Sequence, residues 1–161
     1  MMNLENIKLL ELDDYSRALV LATWKHANVF DKGGKPYIDH PIRVSQRCSG
    51  YHEKVVAILH DVVEDTDIEY EDLRYLRFGE HIINGVDAVT RRVFPDRPKE
   101  SYEDFIDRCC RNDIGRAVKK ADIADNTDPS RLHYLDEKFQ NKLVTKYAKA
   151  LNTINQFEMS L

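Results

Sequence analysis

The segment Val55-Val56-Ala57-Ile58-Leu59-His60-Asp61-Val62-Val63-Glu64-Asp65-Thr66 sets one imidazole and three carboxylates directly after a run of aliphatic side chains. Its periodicity predicts a single helix from about Glu53 to Asp65. Residues four apart on a helix share a face, so this spacing places His60 over Glu64 and Asp61 over Asp65. Val56, Leu59 and Val63 fall three or four apart and can anchor the opposite side in a core. Carboxylates crowded beside buried aliphatics repel one another unless a cation lies among them or water reaches them. The segment therefore reads either as half of a metal site or as the solvated acidic end of an amphipathic helix.

The remaining ligands for a metal would have to come from elsewhere in the chain. His40 stands just before the helix predicted to begin at Pro41, and Asp122 lies deep in the helix predicted from Ile114 to Asn126. Two imidazoles and two carboxylates suit a borderline divalent ion such as manganese, iron or zinc better than magnesium or calcium. Four protein ligands on a six-coordinate ion leave positions for water and substrate, as catalysis requires. Asp122 can equally be a solvated polar residue on an amphipathic helix. His26, near the end of the first long helix, is expected to pack and hydrogen-bond across a loop.

The elements that must position these residues are helical throughout. Asp13-Asp14 start a helix through His26, and the glycine-rich stretch Phe30 to Pro36 breaks it. Pro41 suits a first helical turn, and Ser49-Gly50 a stop. Thr66-Asp67 cap a short helix at Tyr70 to Leu73, and another runs from His81 to Thr90. Arg91 to Lys99, with two prolines and four basic residues, is a loop that either screens substrate phosphates or is simply solvated. Ser101 begins a capped helix, Ile114 to Asn126 follows, and a last helix covers roughly Asp136 to Phe157. Lys119 and Lys120 lie one turn or less before Asp122; one of them could point toward the pocket, though solvent is the default for lysine. Scarcely any segment alternates with a period of two, so the fold class is all-α.

Composition narrows the function. The 161 residues carry 32% charged and 42% hydrophobic side chains, which predicts one globular domain over residues 1–161. A net charge of −4 speaks against nucleic acid as a partner, since that needs an extended basic surface. Cys48, Cys109 and Cys110 show neither Cys-x-x-Cys spacing nor a disulfide framework, which predicts a reducing, cytoplasmic setting. No apolar run approaches membrane-spanning length, and Met1-Met2-Asn3-Leu4-Glu5 is unlike a signal peptide, so no membrane is expected.

The order His40, then His60-Asp61, then Asp122 resembles the HD superfamily of metal-dependent phosphohydrolases. More narrowly, the chain is similar to the hydrolase domain of RelA/SpoT enzymes and their small stand-alone relatives, which hydrolyse ppGpp and pppGpp. The blocks that carry the resemblance are Lys32-Gly33-Gly34-Lys35-Pro36-Tyr37-Ile38-Asp39-His40-Pro41 and Ala57 to Thr66. Phe78-Gly79-Glu80, Val86 to Thr90 and Lys120-Ala121-Asp122-Ile123-Ala124-Asp125-Asn126 complete it, in the family's order. The resemblance implies an HD-domain helical bundle in which His40, His60, Asp61 and Asp122 hold one Mn2+, with iron, zinc or cobalt as substitutes. It implies that Glu64 and Asp65 position or activate the attacking water. It also implies that Asn126 lines a nucleotide pocket and that Lys32 lies near the substrate, a small nucleotide.

Two positions depart from the family. Asp31 stands where an arginine commonly packs on guanine, and Ile123 and Asp125 replace an arginine and a histidine of the late block. These departures keep two alternatives beside a ppGpp 3′-pyrophosphohydrolase. One is the same site acting on another nucleotide, such as an adenine alarmone, a nucleoside monophosphate or a dinucleotide phosphate. The other is a non-catalytic HD module that binds a nucleotide.

Overall fold

The computed structural model describes residues 8–161. The stretch Met1 to Glu5, read above for its lack of a signal-peptide pattern, lies outside the described residues. Helices are α1 (Asp14–Lys25), α2 (Asp39–Arg47), α3 (Tyr51–Leu59), α4 (Val62–Asp65), α5 (Tyr70–Tyr75), α6 (Glu80–Val89), α7 (Tyr102–Cys110), α8 (Asp113–Asn126), α9 (Pro129–Leu132) and α10 (Glu137–Met159). Among the described residues, β pairing is limited to one isolated bridge, Phe30 to Pro36. The all-α expectation holds, and no helix among these residues is long and apolar enough to cross a membrane.

The caps explain most boundaries. Asp13 accepts a hydrogen bond from Ser16 N at the start of α1, Ser101 from Asp104 N at α7, and Asp136 from Phe139 N at α10. Each satisfies one of the backbone donors that a helix start leaves open. α2 begins earlier than Pro41 suggested, at Asp39, so His40 sits inside its first turn rather than before it.

α3 is the central element. Val55, Val56, Ala57, Ile58 and Leu59 are all fully buried, and α1, α2, α6 and α8 pack around them. A helix apolar all round is one enclosed by others. α6 and α8 approach closely because Gly115 has no side chain: a Cβ there would lie 2.6 Å from that of Ala88. A second cluster, Phe105, Ile106, Cys110, Ile123, Ala150 and Ile154, joins α7, α8 and α10. α8 thus has one flank in each cluster, which fixes the rotation of the helix that carries Asp122.

The continuous helix expected from Glu53 to Asp65 is broken. α3 ends at Leu59 and α4 begins at Val62, with His60 and Asp61 in the turn between. Asp61 opens to φ −102°, ψ −4° while its carbonyl still accepts from Asp65 N at 2.9 Å. The chain stays coiled across the turn, and regular helix is interrupted at the two candidate ligands His60 and Asp61.

Candidate functional site

Three elements bring four side chains together: the first turn of α2 (His40), the α3–α4 turn (His60 and Asp61) and the middle of α8 (Asp122). His40 Nε2 lies 3.3 Å from Asp122 Oδ1 and 3.7 Å from Asp61 Oδ2. His60 Nε2 lies 3.0 Å from Asp61 Oδ2 and 3.7 Å from Asp122 Oδ1. The ligand atoms of His40, His60 and Asp122 all fall within 4.8 Å of one another, and all three residues are buried.

The far side of each ring shows which nitrogen is free. His60 Nδ1 is 2.7 Å from the carbonyl of Ala57, which can only accept, so Nδ1 carries the proton. His40 Nδ1 is 2.7 Å from Asp125 Oδ2, which has the same effect. Both Nε2 lone pairs then face the cluster. His60 Nε2 is buried and makes no hydrogen bond among the described residues. A buried acceptor left in this way, beside a second imidazole and two carboxylates, is the donor set that a divalent ion fits.

Without a cation the electrostatics are polarised. Burial opposes a charge on His60, but the neighbouring Asp61 carboxylate outweighs it and lifts its pKa well above the ordinary range. Burial likewise opposes charge on Asp61 and Asp122. Asp61 is nevertheless held low by His60, and Asp122 by Lys119 together with both histidines. The Tyr37 hydroxyl donates to Asp61 Oδ2 at 2.5 Å, and burial with the charge of Asp61 keeps that phenol protonated. The buried His26 ring packs on Tyr37, with centroids 5.0 Å apart. It packs as expected but, contrary to expectation, its Nε2 makes no hydrogen bond among the described residues.

Glu64 and Asp65 diverge. Glu64 accepts from Arg91 N and from Lys99 Nζ, both at 3.1 Å, so it ties the basic loop to α4. Asp65 makes no side-chain hydrogen bond among the described residues. Partial burial and the charges of Asp61 and Glu64 raise its pKa. The two carboxylates expected to act together thus have different surroundings: Glu64 is held by the loop, and Asp65 is not.

Beside the cluster opens a pocket of about 490 Å³ whose walls include Lys32, Tyr37, Arg43, Asn126, Tyr134 and Tyr147. Lys32 lies with its ammonium 3.8 Å from the centre of the Phe139 ring. Asn126 lines the pocket and also donates to Asp122 Oδ1 at 2.6 Å. Asp31 turns its carboxylate onto its own loop, accepting from Gly33 N and Lys35 N, both at 2.9 Å. Both bonds go to Oδ1, so the Asp31 side chain serves as the acceptor of a local turn.

Of the two lysines before Asp122, Lys119 turns inward rather than to its default in solvent: its Nζ is 2.7 Å from Asp122 Oδ2. Its spacing three before Asp122 was the available signal. Asp125, three residues after Asp122, is buried and bonded to His40, Arg43 and Arg131. Burial penalises its charge, yet hydrogen bonds from His40 and Arg43 and the charge of Arg131 hold its pKa low. Arg131, on the short helix α9, and Tyr134, in the turn after it, had no signal, because no local pattern shows that they reach α2 and the pocket.

No protein-family model matches the sequence. The chain is 31% identical over 121 residues to a guanosine-3′,5′-bis(diphosphate) 3′-pyrophosphohydrolase of Aquifex aeolicus, covering 71% of this chain and 17% of that protein. It is 44% identical over 96 residues to a probable enzyme of the same name from Synechocystis, covering 55% of this chain and 12% of that one. It is 31% identical over 96 residues to the bifunctional (p)ppGpp synthase/hydrolase SpoT of Escherichia coli, covering 55% of this chain and 14% of that protein. The chain thus spans less than a fifth of the length of these curated relatives. Among solved structures, a metazoan SpoT ortholog described as hydrolysing ppGpp superposes with a TM-score of 0.75 at 23% identity, covering 89% of this chain and 86% of that one. The fold is that of a helical HD-type domain. Together with the sequence relatives, it supports a domain similar to the RelA/SpoT hydrolase domain.

Proposed function

We propose that this domain is a metal-dependent phosphohydrolase that removes the 3′-pyrophosphate of ppGpp or pppGpp. The observation that carries the reading is the convergence of His40, His60, Asp61 and Asp122 beside a nucleotide-sized pocket, in a chain whose curated relatives bear that activity in their names. A divalent ion held by those four residues, manganese in the first place, would polarise a phosphate oxygen and lower the pKa of a water.

The chain's own residues divide the remaining work. Asp65, whose carboxylate makes no hydrogen bond among the described residues and is raised in pKa, accepts the proton of the attacking water. The water oxygen bonds to the phosphorus nearest the ribose while the bond to the 3′ oxygen breaks. That oxygen keeps the electron pair and takes up a proton, leaving a 3′-hydroxyl and free pyrophosphate. Glu64 holds Lys99 and the Arg91 backbone at the rim, where positive charge meets the departing pyrophosphate. Lys32 and Asn126 line the nucleotide pocket.

A second reading keeps the site and changes the base. Position 31 offers no guanidinium to stack on guanine, and its carboxylate is already bonded to its own loop. The test of both readings is release of pyrophosphate or phosphate by metal-reconstituted protein from a panel of guanine and adenine nucleotides. Pyrophosphate from ppGpp supports the first reading, and turnover of adenine forms alone the second. Binding without turnover of any nucleotide returns the chain to a non-catalytic module. We read the described residues as one such domain, acting on a small nucleotide rather than nucleic acid, in a reducing cytoplasmic setting suggested by three buried, unpaired cysteines.

A further inference from the structure

Of the two imidazoles at the site, only His40 is aimed by a side chain. The Nδ1 of His60 is fixed by a backbone carbonyl of its own helix. The Nδ1 of His40 is fixed by Asp125, which is 1% exposed and stands one turn beyond Asp122 on α8. Asp125 Oδ2 lies 2.7 Å from that nitrogen. Its carboxylate also accepts from Arg43 Nε at 2.9 Å and from Arg131 Nη1 at 2.5 Å. Arg43 follows His40 by three residues on α2, so helix geometry sets both side chains against the same carboxylate.

One contact needs resolving. Arg131 Nη1 is also 2.8 Å from His40 Nδ1, and both atoms cannot donate to each other. The two protons of Nη1 have two acceptors in reach, Asp125 Oδ2 and Asn126 Oδ1, the latter at 3.2 Å. Nδ1 therefore keeps its own proton for the shared carboxylate oxygen, and the short approach is that of two donors on one acceptor. Nε2 is left with a lone pair directed at Asp61 and Asp122.

We infer that Asp125 is the positioning residue of this metal site. It holds His40 in the Nδ1–H tautomer with Nε2 toward the ion, while Arg43 and Arg131 keep the carboxylate in place. This rests on the metal-site reading above. A carboxylate behind a ligating histidine fixes ring orientation and raises the basicity of the ligating nitrogen. Losing such a partner typically weakens metal affinity or activity by about tenfold to a hundredfold.

The test titrates Co2+ into metal-free wild type, Asp125→Ala and Asp125→Asn, reading the dissociation constant and the visible cobalt spectrum, with thermal melting of each metal-free protein alongside. Asp125→Ala should weaken cobalt about tenfold to a hundredfold and alter the spectrum. Asp125→Asn keeps an acceptor oxygen and should recover part of both. A merely structural residue would lower the melting temperature and leave constant and spectrum unchanged, and that result overturns the inference. Should neither variant fold, the zinc-loaded wild type decides by nitrogen–proton NMR. A protected proton on His40 Nδ1 supports the inference, and one on Nε2 overturns it. Wild type that takes up no metal fails the site reading itself, whereas unchanged cobalt binding in folded variants fails this inference alone.

Discussion

Lys119 and Asp122 form a buried ion pair one turn apart on α8, with Nζ 2.7 Å from Oδ2, so that only Oδ1 of Asp122 faces the two histidines. Burial opposes the charge on Lys119, but the Asp122 carboxylate outweighs it and holds the ammonium protonated. The lysine thereby orients Asp122 to offer one oxygen to the cluster. It also balances a carboxylate that would otherwise be buried with only imidazoles and an amide for company.

Lys119→Met tests this balance. Removing one partner of a buried pair costs about 3–5 kcal/mol. The metal-free variant should therefore unfold at markedly lower urea concentration. Added Mn2+ should restore part of the loss, since a hundredfold excess over the dissociation constant stabilises by about 2.7 kcal/mol. An unchanged unfolding curve would show that solvent rather than Lys119 compensates Asp122.

Asp61→Ala should abolish both metal uptake and hydrolysis. Its Oδ2 lies 3.0 Å from His60 Nε2 and also accepts from the Tyr37 hydroxyl. Elemental analysis of the purified variant is the direct check, and a full complement of metal would remove Asp61 from the site.

The acidic pair should separate kinetically. Asp65→Asn should keep metal and fold but lose about a hundredfold to ten-thousandfold in turnover, the usual share of general acid–base catalysis. Glu64→Gln weakens the hold on Lys99 and should act mainly through the Michaelis constant. Comparable turnover losses in both variants would return Glu64 to a direct role with Asp65.

Asp31→Arg offers a guanidinium for base stacking, worth about 0.5–2 kcal/mol, but removes the carboxylate that accepts from Gly33 N and Lys35 N. The structure favours the second effect. The Michaelis constant for ppGpp should rise or stay level, and the melting temperature should fall. A lower Michaelis constant with unchanged turnover would mean that an arginine at this position reaches the base.

How much of this was legible in the chain depends on the range of the interaction. The capped helix starts at Asp13, Ser101 and Asp136 were readable because a cap is a contact between residues three apart. His40, His60, Asp61 and Asp122 were readable as candidate donors on or just before predicted helices, and the family resemblance grouped them as one set. The break at His60–Asp61 was not readable. Apolar periodicity continues across it, from Leu59 to Val62 and Val63, so no local pattern marks the interruption.

By itself, then, the sequence determined that the fold is helical and which side chains could bind a metal, because propensity, capping and donor chemistry are local properties. Tertiary structure alone decided which way those side chains face. Lys119 turned inward to Asp122, Glu64 turned aside to Lys99, and Asp125 met His40, Arg43 and Arg131 across α2, α8 and α9. Each of those choices balances a charge against a partner on the same helix or on another element. For Lys119 and Asp125, the placement of α8 between two apolar clusters sets which partner is in reach.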